Sequence, residues 1–295
     1  DTGELVWSSG RALVTDTRKP LEGLIVHRVE VLEGALRVGR EVVARVTAGP
    51  RADTQRNHTA THLLHAALRK VLGEAAQQAG SLVEPDRLRF DFSWGRPVTL
   101  DELQEIERLV NAEIVHNHNV SKQFMRIDVA RDLGAMALFG EKYGDTVRVV
   151  SIGDGVVSRE LCGGCHVQRT GDIGAFTVVS ERGVAAGVRR IEAATGHGAV
   201  RLQQQRARTA SQLAGRYQTS FEQLADLLEK RDRRLEELEE EVRALKLRLA
   251  SGGGGGDEVR TEVDGLRVLT RRAPEMDPSE LRNLADTLRQ KLGSG

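Results

Sequence analysis

The chain has 295 residues, 39% hydrophobic and 29% charged, and its 43 basic side chains offset 43 acidic ones. That length accommodates two or three domains. The balance excludes a global electrostatic bias toward nucleic acid or membrane, and no apolar run is long enough for a membrane-spanning helix.

The opening residues, Asp1-Thr2-Gly3-Glu4, show neither an initiator Met nor a signal peptide and read as mid-domain sequence. The last residues, Leu292 to Gly295, stop just after a helical pattern, so the expectation is a piece cut at both ends. Both cysteines lie in one tetrapeptide and cannot form a disulfide framework. That favours a reducing, cytoplasmic setting with a metal or redox role for the thiols.

In chain order, residues 1–50 read as short strands: Leu24–Leu32 and Leu36–Thr47 are rich in Val and Ile, and Glu33-Gly34 between them predicts a hairpin. A small β-barrel or sandwich is the expected outcome. A helix follows, capped by Asp53 or Thr54 and ended by Gly73, with His58, His62 and His65 on one face. Leu88-Arg89-Phe90-Asp91-Phe92 alternates as a half-buried strand. Thr99 with Glu102 forms a capping box for a helix to about Val115. Strands recur at Val120–Ile127, Thr146–Ile152 and Gly174–Ser180, with a short helix after Asp128. Residues 51–196 therefore predict a mixed α/β domain.

From residue 197 to 250 the pattern is helical. Phe221, Leu224, Leu228, Leu235, Leu238, Val242, Leu245 and Leu249 alternate spacings of three and four, with Arg231 in the missing slot. An antiparallel helical hairpin and an intermolecular coil both satisfy that seam. Ser251–Gly256 reads as a flexible linker, Leu266–Thr270 as a strand, and Asp277-Pro278-Ser279-Glu280 as the start of a last helix. Residues 251–295 form a truncated α/β piece too small for a large core of its own. The whole is an α+β chain.

Two motifs carry chemistry. His58-Thr59-Ala60-Thr61-His62 places two imidazoles one helical turn apart. Protease chemistry on a bound zinc would require Glu after the first His, and the residue there is Thr59. Cys162-Gly163-Gly164-Cys165-His166 offers a thiolate four residues before a third imidazole. Nitrogen and sulfur donors of this kind hold zinc. A structural histidine pair, c-type haem attachment and a redox dithiol are the alternatives. Haem attachment would leave the first motif unexplained, and the β-rich run after the second argues against a redox helix. A third feature is electrostatic: six arginines (182, 189, 190, 201, 206 and 208) face one acid, Glu192, a stretch that suits either phosphate contact or a solvated helix face.

These residues resemble the editing region of the alanyl-tRNA synthetases. The resemblance rests on Arg56–His65, Gly80–Val83, Arg89–Phe92, Gly134–Tyr143, Glu160–Gly164, Arg169–Gly174 and Gly187–Ala193, in that order, and covers nearly the whole chain. Free-standing alanyl-tRNA editing proteins share the zinc motifs, while the long coil is more similar to the synthetase. The resemblance implies Zn2+ on His58, His62, Cys162 and His166, and a substrate pocket including Gln78 and Thr61. It implies hydrolysis of seryl or glycyl esters of tRNA(Ala), the mischarged partner. From the residues themselves, Arg182, Arg189 and Arg190 beside the glycine-rich turn at 183–187 are candidate contacts to the tRNA acceptor end under either expectation. A homodimer through the helical and C-terminal region is a further implied partner. His65 is expected to pack beside the site, and Cys165 stands where the family usually has Thr. The family's ATP-dependent ligase core would lie upstream, since no phosphate-loop motif occurs here. The competing expectation is a non-catalytic tRNA-binding and dimerisation module with a structural zinc.

Overall fold

The computed structural model describes residues 1–21, 23–137, 143–251, 258–271, 276 and 278–292. It divides into two units, Asp1–Ala207 and Arg208–Gly295.

The first unit opens with four strands: β1 (Gly3–Trp7), β2 (Gly10–Leu21), β3 (Leu24–Glu33) and β4 (Val43–Val46). They form an antiparallel sheet in the order β3-β2-β1-β4 over a small core of Leu5, Trp7, Ala12 and Val14. The expected barrel does not close. β4 has only four residues and pairs with β1, while β3 is exposed along nearly its whole length. The expected hairpin at Glu33-Gly34 is corrected as well. Gly34 turns the chain (φ 73°), but the next strand crosses to β1 instead of pairing with β3.

Helix α1 (Ala48–Leu72) starts ahead of the expected caps, with Thr47 at its N-cap. Asp53 and Thr54 lie inside it: Asp53 pairs with Arg56 at 2.6 Å, and the Thr54 hydroxyl donates to the Pro50 carbonyl at 2.9 Å. Gly73 (φ 100°) ends it as predicted. Next come β5 (Gln78–Val83), β6 (Leu88–Ser93) and α2 (Leu100–Val115), the last opened by the predicted Thr99/Glu102 capping box. Strand β7 (Val120–Arg126) leads into α3 (Ile127–Asp132), and β8 (Thr146–Ile152) and β9 (Ser158–Leu161) follow. The last strands of this unit, β10 (Phe176–Ala185) and β11 (Val188–Thr195), feed α4 (Gly196–Arg216), which runs across the division between the units.

Two antiparallel sheets frame the site: β10-β11-β6-β5 and β7-β8-β9. Helix α1 packs on β5, β6 and β11 and also reaches β9, while α2 packs on α1 and β10. The core between them holds Leu63, Leu64, Leu68, Phe90, Phe92, Ile106, Phe176 and Ile191, each at most 1% exposed. Full burial of such side chains stabilises by about 1.5–3 kcal/mol each. The alternation of β6 is as predicted, with Leu88, Phe90 and Phe92 inward. Asn57 locks α1 in place. Its amide nitrogen donates to the carbonyls of Glu84 (2.7 Å) and Pro85 (3.1 Å), and its oxygen accepts from the Thr195 hydroxyl at 2.7 Å.

The second unit holds α5 (Leu224–Ser251), β12 (Glu258–Val263), β13 (Leu266–Arg271) and α6 (Pro278–Leu292). β12 and β13 form a hairpin in which only β13 was anticipated. Leu235, Leu238, Val242 and Leu245 of the heptad seam are exposed, whereas Leu224 is buried. The linker glycines and the Asp277 cap lie outside the described residues. No described helix is long and apolar enough to cross a membrane.

Candidate metal centre and its cleft

Helix α1 presents His58 and His62 one turn apart, and β9 ends at the residue before Cys162. The loop that follows brings His166 back toward the helix. The ligand atoms of His58, His62, Cys162 and His166 all lie within 4.8 Å of one another. Cys162 Sγ is 3.4 Å from His58 Nε2 and 3.3 Å from His166 Nε2. These separations are the edge lengths of a small coordination polyhedron, because a tetrahedron with bonds of about 2.0–2.3 Å has edges of about 3.3–3.8 Å.

The surroundings select the nitrogen each ring offers. Glu160 Oε2 accepts from His62 Nδ1 at 2.8 Å, which leaves His62 Nε2 buried, without a hydrogen-bond partner among the described residues and aimed into the cluster. The Thr59 hydroxyl donates to the Gln55 carbonyl at 3.0 Å and lies 3.3 Å from His166 Nδ1, so it accepts from that nitrogen and leaves Nε2 for the cluster. An orphaned buried nitrogen costs about 1–3 kcal/mol unless a ligand satisfies it. The donor set, three imidazoles and one thiol, therefore fits zinc.

Glu160 is 2% exposed and also receives hydrogen bonds from His65 Nδ1 (3.2 Å) and the Ser158 hydroxyl (3.0 Å). Burial works against its charge, but His62 and His65 outweigh burial and hold the carboxyl well below the usual range. Burial likewise opposes a charged His62, and Glu160 overrides it to raise the imidazole to about 10. Burial would raise the Cys162 thiol. The imidazoles of His166, His58 and His62 gathered around it outweigh burial and bring it down to about 3 instead, which favours the thiolate form. Burial pushes His166 down to about 4 and keeps that ring neutral.

Neither loop glycine takes a positive φ, and only Gly164 serves a close approach, since a Cβ on Gly163 would meet open space. A Cβ on Gly164 would sit 1.9 Å from His58 Cε1, so a side chain there would displace the imidazole. Arg148 holds this loop from outside, donating to the Gly164 carbonyl at 2.6 Å. Lys122 donates to the carbonyls of His166 (3.2 Å) and Val167 (3.1 Å).

Beside the cluster lies an open cleft of about 700 Å³ whose lining includes His58, Cys165, His166, Arg51, Lys122 and Arg148. A second recess of about 500 Å³ shares Gln55, Lys122 and His166 with it. Cys165 faces this space and is not one of the four convergent donors. Burial raises its thiol, and His58 and Arg51 together outweigh that and lower it. Ser81 lines the cleft, and Gln78 donates to its hydroxyl at 3.1 Å. Thr61 is 4% exposed, and its hydroxyl donates to the Asn57 carbonyl at 2.9 Å.

The arginines lie elsewhere in the fold. Arg189 makes a bidentate pair with Glu181 (2.5 and 2.6 Å), and Arg190 one with Asp91 (2.7 and 2.8 Å), both across the β10-β11-β6 strands. Arg182 is 3.7 Å from Glu192 and its side chain is 61% exposed. Sequence reasoning missed Glu160, Thr59 as a partner of His166, Lys122 and Arg148. Thr59 offered a signal, since it fills the position where a protease would need its Glu.

Residues 147–192 match the family described as threonyl and alanyl tRNA synthetase second additional domain. The chain is 50% identical over 295 residues to an alanine–tRNA ligase of Thermus thermophilus, covering 98% of this chain and 33% of that protein. The chain belongs to the alanyl-tRNA synthetase family. It is also 48% identical over 298 residues to the alanine–tRNA ligase of a Polaromonas species and 45% identical over 294 residues to that of Bordetella avium. These matches cover 100% and 99% of this chain, and in each case it spans 33% of the relative's length. Within this synthetase-family chain the matched domain runs from β8 to β11 and contains Cys162 and His166, whereas His58 and His62 precede it.

Proposed function

We propose that this part of an alanyl-tRNA synthetase hydrolyses the ester joining serine or glycine to the terminal ribose of mischarged tRNA(Ala), with Zn2+ held by His58, His62, Cys162 and His166. The observation that carries this is the convergence of those four donors on one edge of a cationic cleft. Bound there, zinc supplies a Lewis acid for an ester carbonyl or an attacking water. The protein's own residues do the rest. Glu160 and Thr59 hold protons on His62 Nδ1 and His166 Nδ1, fixing both rings. Lys122 and Arg148 give the cleft the positive charge that draws a polyanionic acceptor end, while Arg51 is paired with Asp1 at its rim. Gln78 stands behind the cleft wall and holds the Ser81 hydroxyl, which is the group that would meet the aminoacyl moiety. An added hydroxyl or a missing methyl is worth only about 1–3 kcal/mol in a binding pocket, which is the physical reason for a second, hydrolytic sieve.

One observation favours a second reading. Four protein donors close a tetrahedral shell, the usual arrangement of a structural zinc. On that reading the chain is a tRNA-binding and dimerisation module, and the exposed Leu235, Leu238, Val242 and Leu245 of α5 supply the contact between copies. Seryl-tRNA hydrolysis by Cys162→Ala and by a His58→Ala/His62→Ala double variant separates the two. The hydrolase reading expects activity and bound zinc to be lost together. The module reading expects tRNA binding without turnover in the unaltered chain.

A further inference from the structure

A second group of potential ligands lies away from the cleft, at the C-terminal end of α2. Glu113, His116 and His118 bring one carboxylate oxygen and two imidazole nitrogens within 4.8 Å of one another. His116 Nδ1 is 3.3 Å and His118 Nε2 2.8 Å from the same Glu113 Oε2. The imidazoles meet edge-on, with centroids 5.5 Å apart and planes at 76°. Both ring nitrogens therefore point at one carboxylate oxygen. For metal bonds of about 2.0 Å the edges of a tetrahedron are about 3.3 Å, so both carboxylate–imidazole separations are near coordinating spacing.

The arrangement is built by the backbone. His116 is the C-cap of α2, and Asn117 takes a left-handed conformation (φ 54°) that folds His118 back over the last turn. A non-glycine residue holds that conformation only with support. Here Arg169 donates to the Asn117 carbonyl at 2.6 Å, and Gly171 N–H donates to its side-chain oxygen at 3.2 Å. His118 N–H donates to the Thr170 hydroxyl at 2.8 Å, which itself donates to the Glu113 carbonyl at 2.7 Å. Gly153 packs against the His118 ring, since a Cβ there would lie 3.2 Å from Nδ1. The loop from 169 to 171 thus fixes two of the three ligand-bearing residues, while the His116 side chain stays 60% exposed and open to solvent.

We infer that Glu113, His116 and His118 form a second cation site for a divalent transition metal, distinct from the thiolate centre. Two imidazoles and one carboxylate suit zinc, cobalt, nickel or copper and disfavour magnesium and calcium, which prefer all-oxygen shells. Three protein ligands leave a coordination position open, so water or an external anion completes the shell. The site shares no residue with the first and does not depend on the proposed hydrolysis.

Titration of the metal-free protein with cobalt(II) tests this directly. A thiolate-bound cobalt shows sulfur-to-metal charge transfer, and a cobalt on nitrogen and oxygen shows only ligand-field bands. The expected result is saturable binding beyond the thiolate centre, seen as ligand-field absorption without added charge transfer. A His116→Ala/His118→Ala double variant loses that fraction and keeps the charge-transfer band. Cys162→Ala shows the reverse. Because His118 is packed, the exposed single variant His116→Gln is run in parallel, and it should weaken the same fraction while thermal unfolding of the metal-free protein stays unchanged. Cobalt saturating at the thiolate centre alone overturns the inference. So does a second fraction that persists in the double variant, which would place the metal on other surface histidines. Absence of the charge-transfer band would count against the thiolate centre only.

Discussion

Glu160 Oε2 and His62 Nδ1 lie 2.8 Å apart in a buried contact, and that contact decides which nitrogen of His62 faces the three other donors. A carboxylate on the far side of a ligand histidine fixes its orientation and raises its basicity. Glu160→Gln should therefore weaken zinc affinity by about 10–100-fold. Competition against a chromophoric chelator reads this out, and an unchanged affinity would show that Glu160 only fills space.

Metal removal has its own expected outcome. Without metal the buried His62 Nε2 has no partner and the donors of α1 are no longer tied to the loop after β9. Chelation should lower the unfolding temperature of the native chain and leave that of Cys162→Ala nearly unmoved. Equal shifts in both proteins would mean that the thiolate takes no part in the metal's hold on the fold.

Asn57 makes a prediction about stability alone. All three of its side-chain hydrogen bonds join α1 to distant backbone or to Thr195. Asn57→Leu leaves the Thr195 hydroxyl and the carbonyls of Glu84 and Pro85 unpaired, at a cost of about 1–3 kcal/mol. Denaturant unfolding measures this. A smaller change would mean that water replaces the amide.

The α2 capping box carries a pH dependence. The Arg96 guanidinium, followed by the Thr99 backbone, lowers the Glu102 carboxyl to about 2 from an ordinary value of 4.5. A depressed folded value stabilises above the unfolded one, so this contribution is full above about pH 4.5 and is lost as pH falls toward about 2. Glu102→Gln should flatten the stability profile across that interval. Thr99→Ala should cost about 1 kcal/mol at neutral pH.

Arg182, Arg189 and Arg190 should separate. Arg189 and Arg190 are committed to bidentate pairs across the sheet, while Arg182 is exposed. Arg190→Ala leaves the largely buried Asp91 short of its main partner and should destabilise by about 1–2 kcal/mol. Arg182→Ala should change stability by less than about 0.5 kcal/mol. If it meets a tRNA phosphate, it lowers the salt slope of binding by about one unit. Equal stability losses for Arg182→Ala and Arg190→Ala would contradict this division.

Helices α1 and α2 and strands β6, β7, β8 and β10 were legible because their signals are local, among them the alternation of Leu88–Phe92, the Thr99/Glu102 box and the Gly73 stop, whereas β5, β9 and β11 were not anticipated. The barrel failed on a long-range matter, since no local pattern tells Val43–Val46 to pair with β1 rather than β3. The start of α1 was misread because Asp53 and Thr54 are good caps that the structure uses inside the helix. The four ligand candidates were visible as donor types at telling spacings, and the fold brings them together. Glu160 was not legible, because nothing in Ser158-Arg159-Glu160-Leu161 says that the glutamate turns inward. The arginine stretch left phosphate contact and a solvated face both open, because sequence shows charge without showing Glu181 and Asp91 across the strands.

The most direct test of the account is the zinc coordination sphere itself, read by X-ray absorption on protein carrying a single equivalent of metal. Ligation by Cys162 and the three histidines gives one sulfur at about 2.3 Å and three imidazole nitrogens at about 2.0–2.1 Å. Two sulfurs would place Cys165 on the metal in place of a histidine, and a shell without sulfur would contradict the assignment of His58, His62, Cys162 and His166 outright.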